Sequence, residues 1–418
     1  MNIAFFTDTY FPQMNGVVIS IDHFVKKLRK MGHTVYVFAP AIEGYTDHDP
    51  HVIRLKSITA LNTKPALLLP LLRPDQQYKQ MFSLPFDIVH AHGNGAFSLL
   101  GYQVARMRNV PYLLTFHTMW TQYLHYVKGI ISPAVIEQTL KVSGNLCDSA
   151  ITPSIKMKKE LVRYGVKKPI YVVPNFIYFS QFDSVKHGST DTKGGYLHKK
   201  YKIPTDTPIL LSVGRLGREK NFDFIVTMFS KLAKIRPNLH LVLIGYGPEE
   251  ERLKEKIKKL GLQGKITITG ILKREDIPKS YADSDIFVFA SKSETQGIIV
   301  LEAAASKLPV VIVKDAAYTD MVADGKSGYE LSLSIKAFIE KIVYLLDHPE
   351  KRQSFGEYGK KLVHAKFDED LLTKRLVGVY EETLIRFKSQ QPIVVRFQKQ
   401  TIERLTQTAT IVREFFQG

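Results

Sequence analysis

Two glutamates eight positions apart, Glu294 and Glu302, flank Gly297 and an apolar run in SKSETQGIIVLEAAASKLPVVIVK (291–314). The pattern predicts a loop, a helix starting near Gly297 and a buried helix, with Glu294 just before that start and Glu302 in its first turns. Carboxylates beside a buried helix start are costly unless they meet hydroxyls or cations. The helix start itself offers unpaired N–H groups and a positive dipole end to a phosphate. A second cluster, PILLSVGRLGREKN (208–221), reads as a strand ending at Gly214, with Arg215 and Lys220 in the loop and helix start that follow. An Arg fork and a Lys point charge beside a helix start suit a diphosphate. In the first half, TDTYFPQMNGVV (7–18) places Gly16 where a helix opens after a first strand, another position from which backbone N–H groups can reach a phosphate.

Other candidates point elsewhere. His90 and His92 in HAHGN are expected to alternate at a strand end so that one faces a cleft, and no third ligand accompanies them, so no metal site is expected. Asp283-Ser284-Asp285 leads directly into DIFVFA and reads as a turn rather than a metal-binding D-x-D. Gly245 and Gly247 in LHLVLIGYGPEEERL read as a structural turn, and the single cysteine, Cys147, as packing.

The elements that must position these residues are legible as alternation. NIAFFT, VYVFAP, DIVHAH, PYLLTF, SAITP and IYVVPN are separated by helical stretches, as parallel βαβ units require. A polar stretch, KHGSTDTKGGYLHKK (186–200), follows, and then PILLSVG, LHLVLIG, KITITG, DIFVFA and PVVIVK repeat the theme. The expectation is an α/β protein of two doubly wound parallel-sheet domains, residues 1–185 and 200–370, with C-terminal helices over 371–418. Ligands of such sheets sit beyond the carboxyl ends of the strands, which is where Gly16, Arg215, Lys220 and Glu294 fall.

Composition narrows the partners. With 418 residues, 44% hydrophobic and 23% charged, the chain has material for real cores and is not dominated by disorder. Its longest apolar stretches resemble PALLLPLL (65–72), far short of the roughly 20 residues of a spanning helix. MNIAFFTDTYFP reads as a first strand rather than a signal peptide, and the lone cysteine fits a reducing compartment, so a cytoplasmic location is expected. A net charge of +18, shared between both halves, attracts phosphates: nucleic acid, anionic lipid or a nucleotide substrate.

SIKMKKELVRYGVKK (154–168), capped by Ser154, is a basic amphipathic helix, and LLLPLLRP (67–74) with Lys64 and Arg73 lies near it in sequence. Lys156, Lys158, Lys159 and Arg163 are candidate contacts to an anionic membrane surface. Trp120, Tyr123 and Tyr126 fall at helical spacing, which fits core as well as a functional aromatic run. Beyond Pro392, Val395, Ile402, Leu405, Ala409, Val412 and Phe416 follow heptad-like steps of an amphipathic helix that could pack, bind a partner or meet the membrane.

GRLxxEKN followed by E-x7-E and EAxAxxLPVV resembles the retaining glycosyltransferases of the GT-B fold, the family of sucrose, trehalose and lipopolysaccharide synthases, over nearly the whole chain. The resemblance implies that Glu294 contacts the donor sugar, Glu302 holds the ribose hydroxyls, and Arg215 and Lys220 grip the diphosphate. It implies that Gly16 lies at the β-phosphate, that Gly297 and Ile298 complete the donor site, and that His117 in LLTFHT is the active-site histidine. It also implies that a C-terminal helix, here 371–388, crosses back onto the first domain, and that cations and helix dipoles rather than a metal neutralise the diphosphate.

One departure narrows the branch. Where most of the family has Glu-Gly-Phe-Gly, this chain has Glu294-Thr295-Gln296-Gly297, and SETQG together with TFHTMWTQYLHYV (115–127) resembles the enzymes that glycosylate diacylglycerol. The expected activity is transfer of a hexose, glucose before galactose, from a UDP-sugar to diacylglycerol with retention, at the inner face of the membrane, without a cofactor and without nucleic acid. Phosphatidylinositol or a polysaccharide is the alternative acceptor, a nucleotide-sugar epimerase would share the cleft, and a non-enzymatic anionic-surface protein would explain the charge but not the paired glutamates.

Overall fold

The computed structural model describes residues 1–61, 67–71, 75–121, 132–183 and 195–390. Tyr123, Tyr126, Lys64, Arg73 and the heptad-like tail from Pro392 therefore lie outside the described residues.

The first domain runs β1 (Asn2–Thr7), α1 (Gly16–Lys30), β2 (Thr34–Pro40), β3 (Val52–Leu55), then the antiparallel pair β4 (Ser57–Leu61) and β5 (Leu67–Pro70). It continues through α2 (Gln76–Ser83), β6 (Ile88–His92), α3 (Ala96–Arg108), β7 (Tyr112–Thr115) and α4 (Pro133–Leu146). β8 (Ser149–Thr152), α5 (Ile155–Arg163) and β9 (Ile170–Val172) close it. The seven-stranded sheet has the order β3-β2-β1-β6-β7-β8-β9 and its strands pair in parallel. β6 and β7 are buried along their whole length, as expected of strands covered on both faces.

Two short helices, α6 (Ser180–Asp183) and α7 (Tyr196–Tyr201), lead to the second domain: β10 (Ile209–Val213), α8 (Phe222–Ile235), β11 (His240–Ile244), α9 (Glu250–Lys259) and β12 (Ile266–Ile268). α10 (Ile277–Ala282), β13 (Ile286–Phe289), α11 (Ile298–Ala305), β14 (Val310–Val313), β15 (Gly328–Leu331) and α12 (Ile335–Asp347) complete its parallel sheet, ordered β12-β11-β10-β13-β14-β15. In each sheet the order reverses beside the first strand, between β1 and β6 and between β10 and β13, which is where doubly wound sheets open a crevice for ligands.

The domains are joined by an apolar seam. Phe176, Ile177, Phe179 and Phe182 are buried in the core cluster that runs from β1 into the second sheet. Asp183 on α6 pairs with Lys360 at 2.5 Å, and Phe182 meets Tyr281 edge-on, so this short helix already sits on the second domain. The crossing thus precedes the compositional boundary near 185, because the aromatic residues that make it read locally as one more strand-and-loop of the first domain.

The chain returns through α13 (Pro349–Phe367) and α14 (Glu369–Gln390). At the start of α14, Asp370 accepts from Lys27 of α1 at 2.7 Å; further along, Tyr380 meets His90 at 2.7 Å and Thr383 meets Ser149 at 2.6 Å. The helix expected over 371–388 does lie back on the first domain.

Buried polar groups explain several features of the sequence. α3 and α7 begin at Gly95 and Gly195, which have no side chain to cap them. Asp8 accepts from Gly95 and Phe97 N–H at 3.1 and 3.0 Å, and Asp283 from Gly195 and Leu197 N–H at 3.0 and 2.7 Å. Asp285 accepts from Ile209 N–H at 2.8 Å and pairs with Arg352 at 3.6 Å, and Asp283 also meets the His198 ring at 3.0 Å, so both aspartates of the D-S-D have protein partners. Cys147 is fully buried, its thiol pushed up to about 12 by burial, in keeping with packing.

Candidate active site

The loops after β10 and β11 run side by side. Gly214 N–H donates to Ile244 O at 2.9 Å and Leu216 N–H to Tyr246 O at 2.9 Å. A Cβ on Gly245 would stand 1.9 Å from Gly214 O, and one on Gly247 2.5 Å from Leu216 O, so these glycines permit the close approach of two backbones. That approach presents Arg215, which is exposed, at the carboxyl end of β10.

Lys220 lies one turn on, and its Nζ donates to Glu294 Oε1 at 2.5 Å, each side chain being 13% exposed. The second-domain cation and the first glutamate of the pair are thus one unit across 74 residues.

α11 begins one residue after Gly297, whose φ of +75° is left-handed. A Cβ there would fall 2.5 Å from Tyr318, so glycine is required both by conformation and by space. Tyr318 is itself fixed, its hydroxyl donating to Ser291 O at 2.6 Å. Ile298 is the first helical residue and half-buried, and among the described residues no side chain caps the helix, so its first N–H groups have no side-chain acceptor.

Glu302, one turn further along α11, is half-buried and accepts from the Tyr281 hydroxyl at 2.9 Å. Burial pushes its carboxyl up to about 7, against the Tyr281 hydrogen bond and the positive charge of Arg274. With one hydrogen bond accepted from Tyr281, the carboxyl keeps lone pairs that can accept from further hydroxyl groups.

Gln296, where the chain departs from the common pattern, is held by backbone of the interdomain crossing. It is 4% exposed, its Oε1 accepts from Asn175 N–H at 2.7 Å, and its Nε2 donates to Asn175 O at 2.7 Å. Asn175 Oδ1 in turn accepts from Ser20 of α1 at 2.5 Å. One side-chain amide therefore satisfies both backbone groups of Asn175 and ties the Glu294 loop to the helix that opens at Gly16.

On the first-domain side, Gly16 is the exposed first residue of α1, and a Cβ there would meet nothing within 4 Å among the described residues. Asn15 caps the helix, accepting from Val17 and Val18 N–H at 3.0 Å, so two of its donors are already used. His117 follows β7 and is half-buried, with its Nε2 3.1 Å from His92 Nδ1. Burial holds His117 at about 4, a neutral imidazole at physiological pH.

The two strand histidines correct the sequence reading. His90 and His92 are two residues apart, and side chains two apart share a face of a strand, so both point the same way, with ring centroids 4.2 Å apart. His90 is saturated by Thr115 at 2.6 Å and Tyr380 at 2.7 Å. Among the described residues no group of three His, Cys, Asp or Glu has the geometry of a metal site.

The basic helix also differs from expectation. Lys156 donates to Asp315 at 2.7 Å and to Lys292 O at 2.7 Å, and Arg163 pairs with Glu160 at 2.9 Å and Glu137 at 3.1 Å. Lys156 therefore clasps the second domain rather than facing outward, while Lys158 and Lys159 stay exposed. Trp120 is 49% exposed and is not core.

The comparisons agree with this architecture. Residues 14–181 match the model of Glycosyltransferase Family 4 and residues 196–362 that of Glycosyl transferases group 1. An alpha-monoglucosyldiacylglycerol synthase of Streptococcus pneumoniae is 30% identical over 78% of this chain and 74% of its own length. Another, from Acholeplasma laidlawii, is 27% identical over 84% of this chain and 89% of its own. Among solved structures, the sucrose-phosphate synthase of Thermosynechococcus elongatus superposes with a TM-score of 0.74 at 18% identity, covering 92% of this chain and 99% of that one. HepE of Anabaena, solved with UDP-glucose, superposes with a TM-score of 0.71 at 17% identity over 91% of this chain and 100% of its own. The paired parallel sheets and these matches make the chain a member of the group 1 glycosyltransferases of the GT-B fold, an enzyme of glycosyl transfer.

Proposed function

We propose that the protein transfers a hexose, glucose before galactose, from a UDP-sugar to the hydroxyl of diacylglycerol with retention of configuration. The observation that carries the reading is the contact of Lys220 with Glu294, whose Cβ would lie 3.9 Å from a Cβ on Gly297 at the uncapped start of α11. In this reading the diphosphate lies against Arg215, Lys220 and the N–H groups from Gly297 and Ile298, with Gly16 opposite. Glu302 accepts from the ribose hydroxyls, and Glu294 from the sugar. His117 contacts the sugar from the first domain. No cofactor or metal is needed, because fixed cations and helix dipoles take the charge.

Retention requires either a protein nucleophile on the far face of the sugar or attack on the face that the diphosphate leaves. Glu294 is committed to Lys220 and Glu302 to the ribose, so same-face attack is the better account. The bond from the anomeric carbon to the phosphate oxygen breaks, the bond to the lipid oxygen forms, and the acceptor proton passes to the departing phosphate. Arg215 and Lys220 stabilise the charge developing on the leaving group.

Two relatives named as alpha-monoglucosyldiacylglycerol synthases support the acceptor, and the neighbour solved with UDP-glucose supports the donor. The test is a matrix of UDP-glucose, UDP-galactose and GDP-mannose, each radiolabelled, against vesicles with diacylglycerol, with phosphatidylinositol or with neither. Label entering the organic phase only with a UDP-hexose and diacylglycerol is the expected result. Label entering only with another acceptor or donor overturns the assignment.

No described helix is long and apolar enough to cross a membrane, and the proposal places the enzyme peripherally on an anionic surface. Exposed Ile155 and Val162 accompany Lys158 and Lys159 on α5, beside a cavity of about 580 Å³. Replacing Lys158 and Lys159 with Gln should weaken binding to anionic vesicles by about 1 kcal/mol per lysine. Vesicle co-sedimentation at low and high salt checks this, and UDP-glucose affinity should not change.

A further inference from the structure

We propose that His92 is a positioning residue that sets the tautomer of His117: His92 Nδ1–H donates to His117 Nε2, so His117 carries its proton on Nδ1 and meets the substrate as a hydrogen-bond donor. The proposal rests on the reading of the cleft as the site of sugar transfer, with His117 in it.

The geometry allows two arrangements. His92 Nδ1 and His117 Nε2 are 3.1 Å apart, and only one of them can carry the shared hydrogen. His92 is 3% exposed and its other nitrogen, Nε2, is buried with no hydrogen-bond partner among the described residues. If His117 were the donor, the proton of neutral His92 would sit on Nε2 and be an orphaned buried N–H. If His92 is the donor, Nε2 holds only a bare lone pair. Orphaned buried N–H groups are rarer than under-used acceptors, so the second arrangement wins.

A charged His92 would fill both roles, but its surroundings oppose it. The ring lies 4.2 Å from His90 and 4.5 Å from Phe5, centroid to centroid, and 5.3 Å from His117, near-parallel to the last at 21°. Burial among other imidazoles holds His92 well below its ordinary range.

The packing makes the assignment rigid. His90, on which His92 leans, is bonded on both nitrogens, to Thr115 of β7 and to Tyr380 of the returning helix α14. The cleft histidine is thus backed by a column that ends in the C-terminal helix, which gives that helix a part in fixing His117 beyond covering the sheet. The consequence for chemistry is specific. With its Nε2 occupied and its Nδ1 protonated, His117 is a neutral donor to a sugar oxygen and not a general base.

The test uses the full chain with ¹⁵N-labelled histidine, in which long-range ¹H–¹⁵N spectra report the tautomer of each ring. His117 is expected as Nδ1–H without any substrate. In His92→Phe, which keeps a ring but no donor, this preference should be lost and kcat with UDP-glucose should fall about 10- to 100-fold, with KM changing far less. His92→Asn can place its amide N–H at the Nδ1 position and should restore both the tautomer and most of kcat, whereas His92→Gln should not.

A wild-type His117 protonated on Nε2 overturns the proposal, as does a His92→Phe enzyme with undiminished kcat or an Asn variant no better than Phe. If the Phe variant fails to fold, the wild-type spectrum still decides. Absence of transfer from every donor would instead sink the proposed function and leave the tautomer result standing.

Discussion

Lys220→Ala should reduce glycosyl transfer by about 10²–10³-fold, the loss typical of removing one preorganised charge stabiliser. It should also destabilise the fold, because Glu294 would be left with its partner gone in a site where both side chains are only 13% exposed. Removing one member of a buried ion pair costs about 3–5 kcal/mol. These effects separate in the double variant Lys220→Met/Glu294→Gln, whose neutral groups need no partner of opposite charge. Thermal unfolding of the double variant should return toward that of the parent while transfer stays low. Recovery of transfer along with stability would show that the ion pair is structural and that the leaving diphosphate is stabilised elsewhere.

The second large effect belongs to Glu302. Glu302→Ala should weaken UDP-glucose binding by about 10- to 100-fold, since a hydrogen bond to a charged group contributes about 1.5–3 kcal/mol. The pH dependence follows from burial, which raises this carboxyl from its ordinary value of 4.5 to about 7. Below about 7 the free enzyme holds Glu302 protonated, and above it the carboxylate is the better acceptor for ribose hydroxyls. UDP-glucose affinity should therefore rise through neutral pH and proton release should accompany binding, both absent in Glu302→Gln. Tyr281→Phe removes a hydrogen bond that lowers this pKa and should move the midpoint upward. The same linkage acts on stability. A folded-state pKa above the unfolded one means the native state binds the extra proton between about 4.5 and 7, so this group's contribution to stability falls as pH rises through that window and is constant above it. Calorimetric titration across pH, and thermal unfolding of wild type against Glu302→Gln, check both signs.

What the sequence revealed and what it concealed follow from the range of the interactions. The two sheets were legible because strands such as ILLSV and VVIV are buried on both faces and so read as unbroken apolar runs. The start of α11 was legible because Gly297 needs a left-handed backbone immediately before an apolar helix. The partners of the site residues were not, since no periodicity announces a contact between Gln296 and Asn175, 121 positions apart, or between Lys156 and Asp315, 159 apart. Tyr281 behind Glu302 and Tyr318 beneath Gly297 were hidden in the same way. The one available signal was chemical: a glutamine in place of an apolar residue in a loop that must be buried demands two partners. For His90 and His92 the error was one of register, because alternation separates neighbours and not residues two apart.

The most direct measurement of the central claim is the ¹H NMR spectrum of the lipid recovered after incubating the enzyme with UDP-glucose and diacylglycerol vesicles in the presence of a chelator. A glucosyl-diacylglycerol whose anomeric proton shows the small coupling of an α-linkage is the predicted product. A β-linked product would contradict retention, loss of product to the chelator would contradict metal-free stabilisation of the diphosphate, and recovery of unmodified diacylglycerol with or without the chelator would contradict the acceptor.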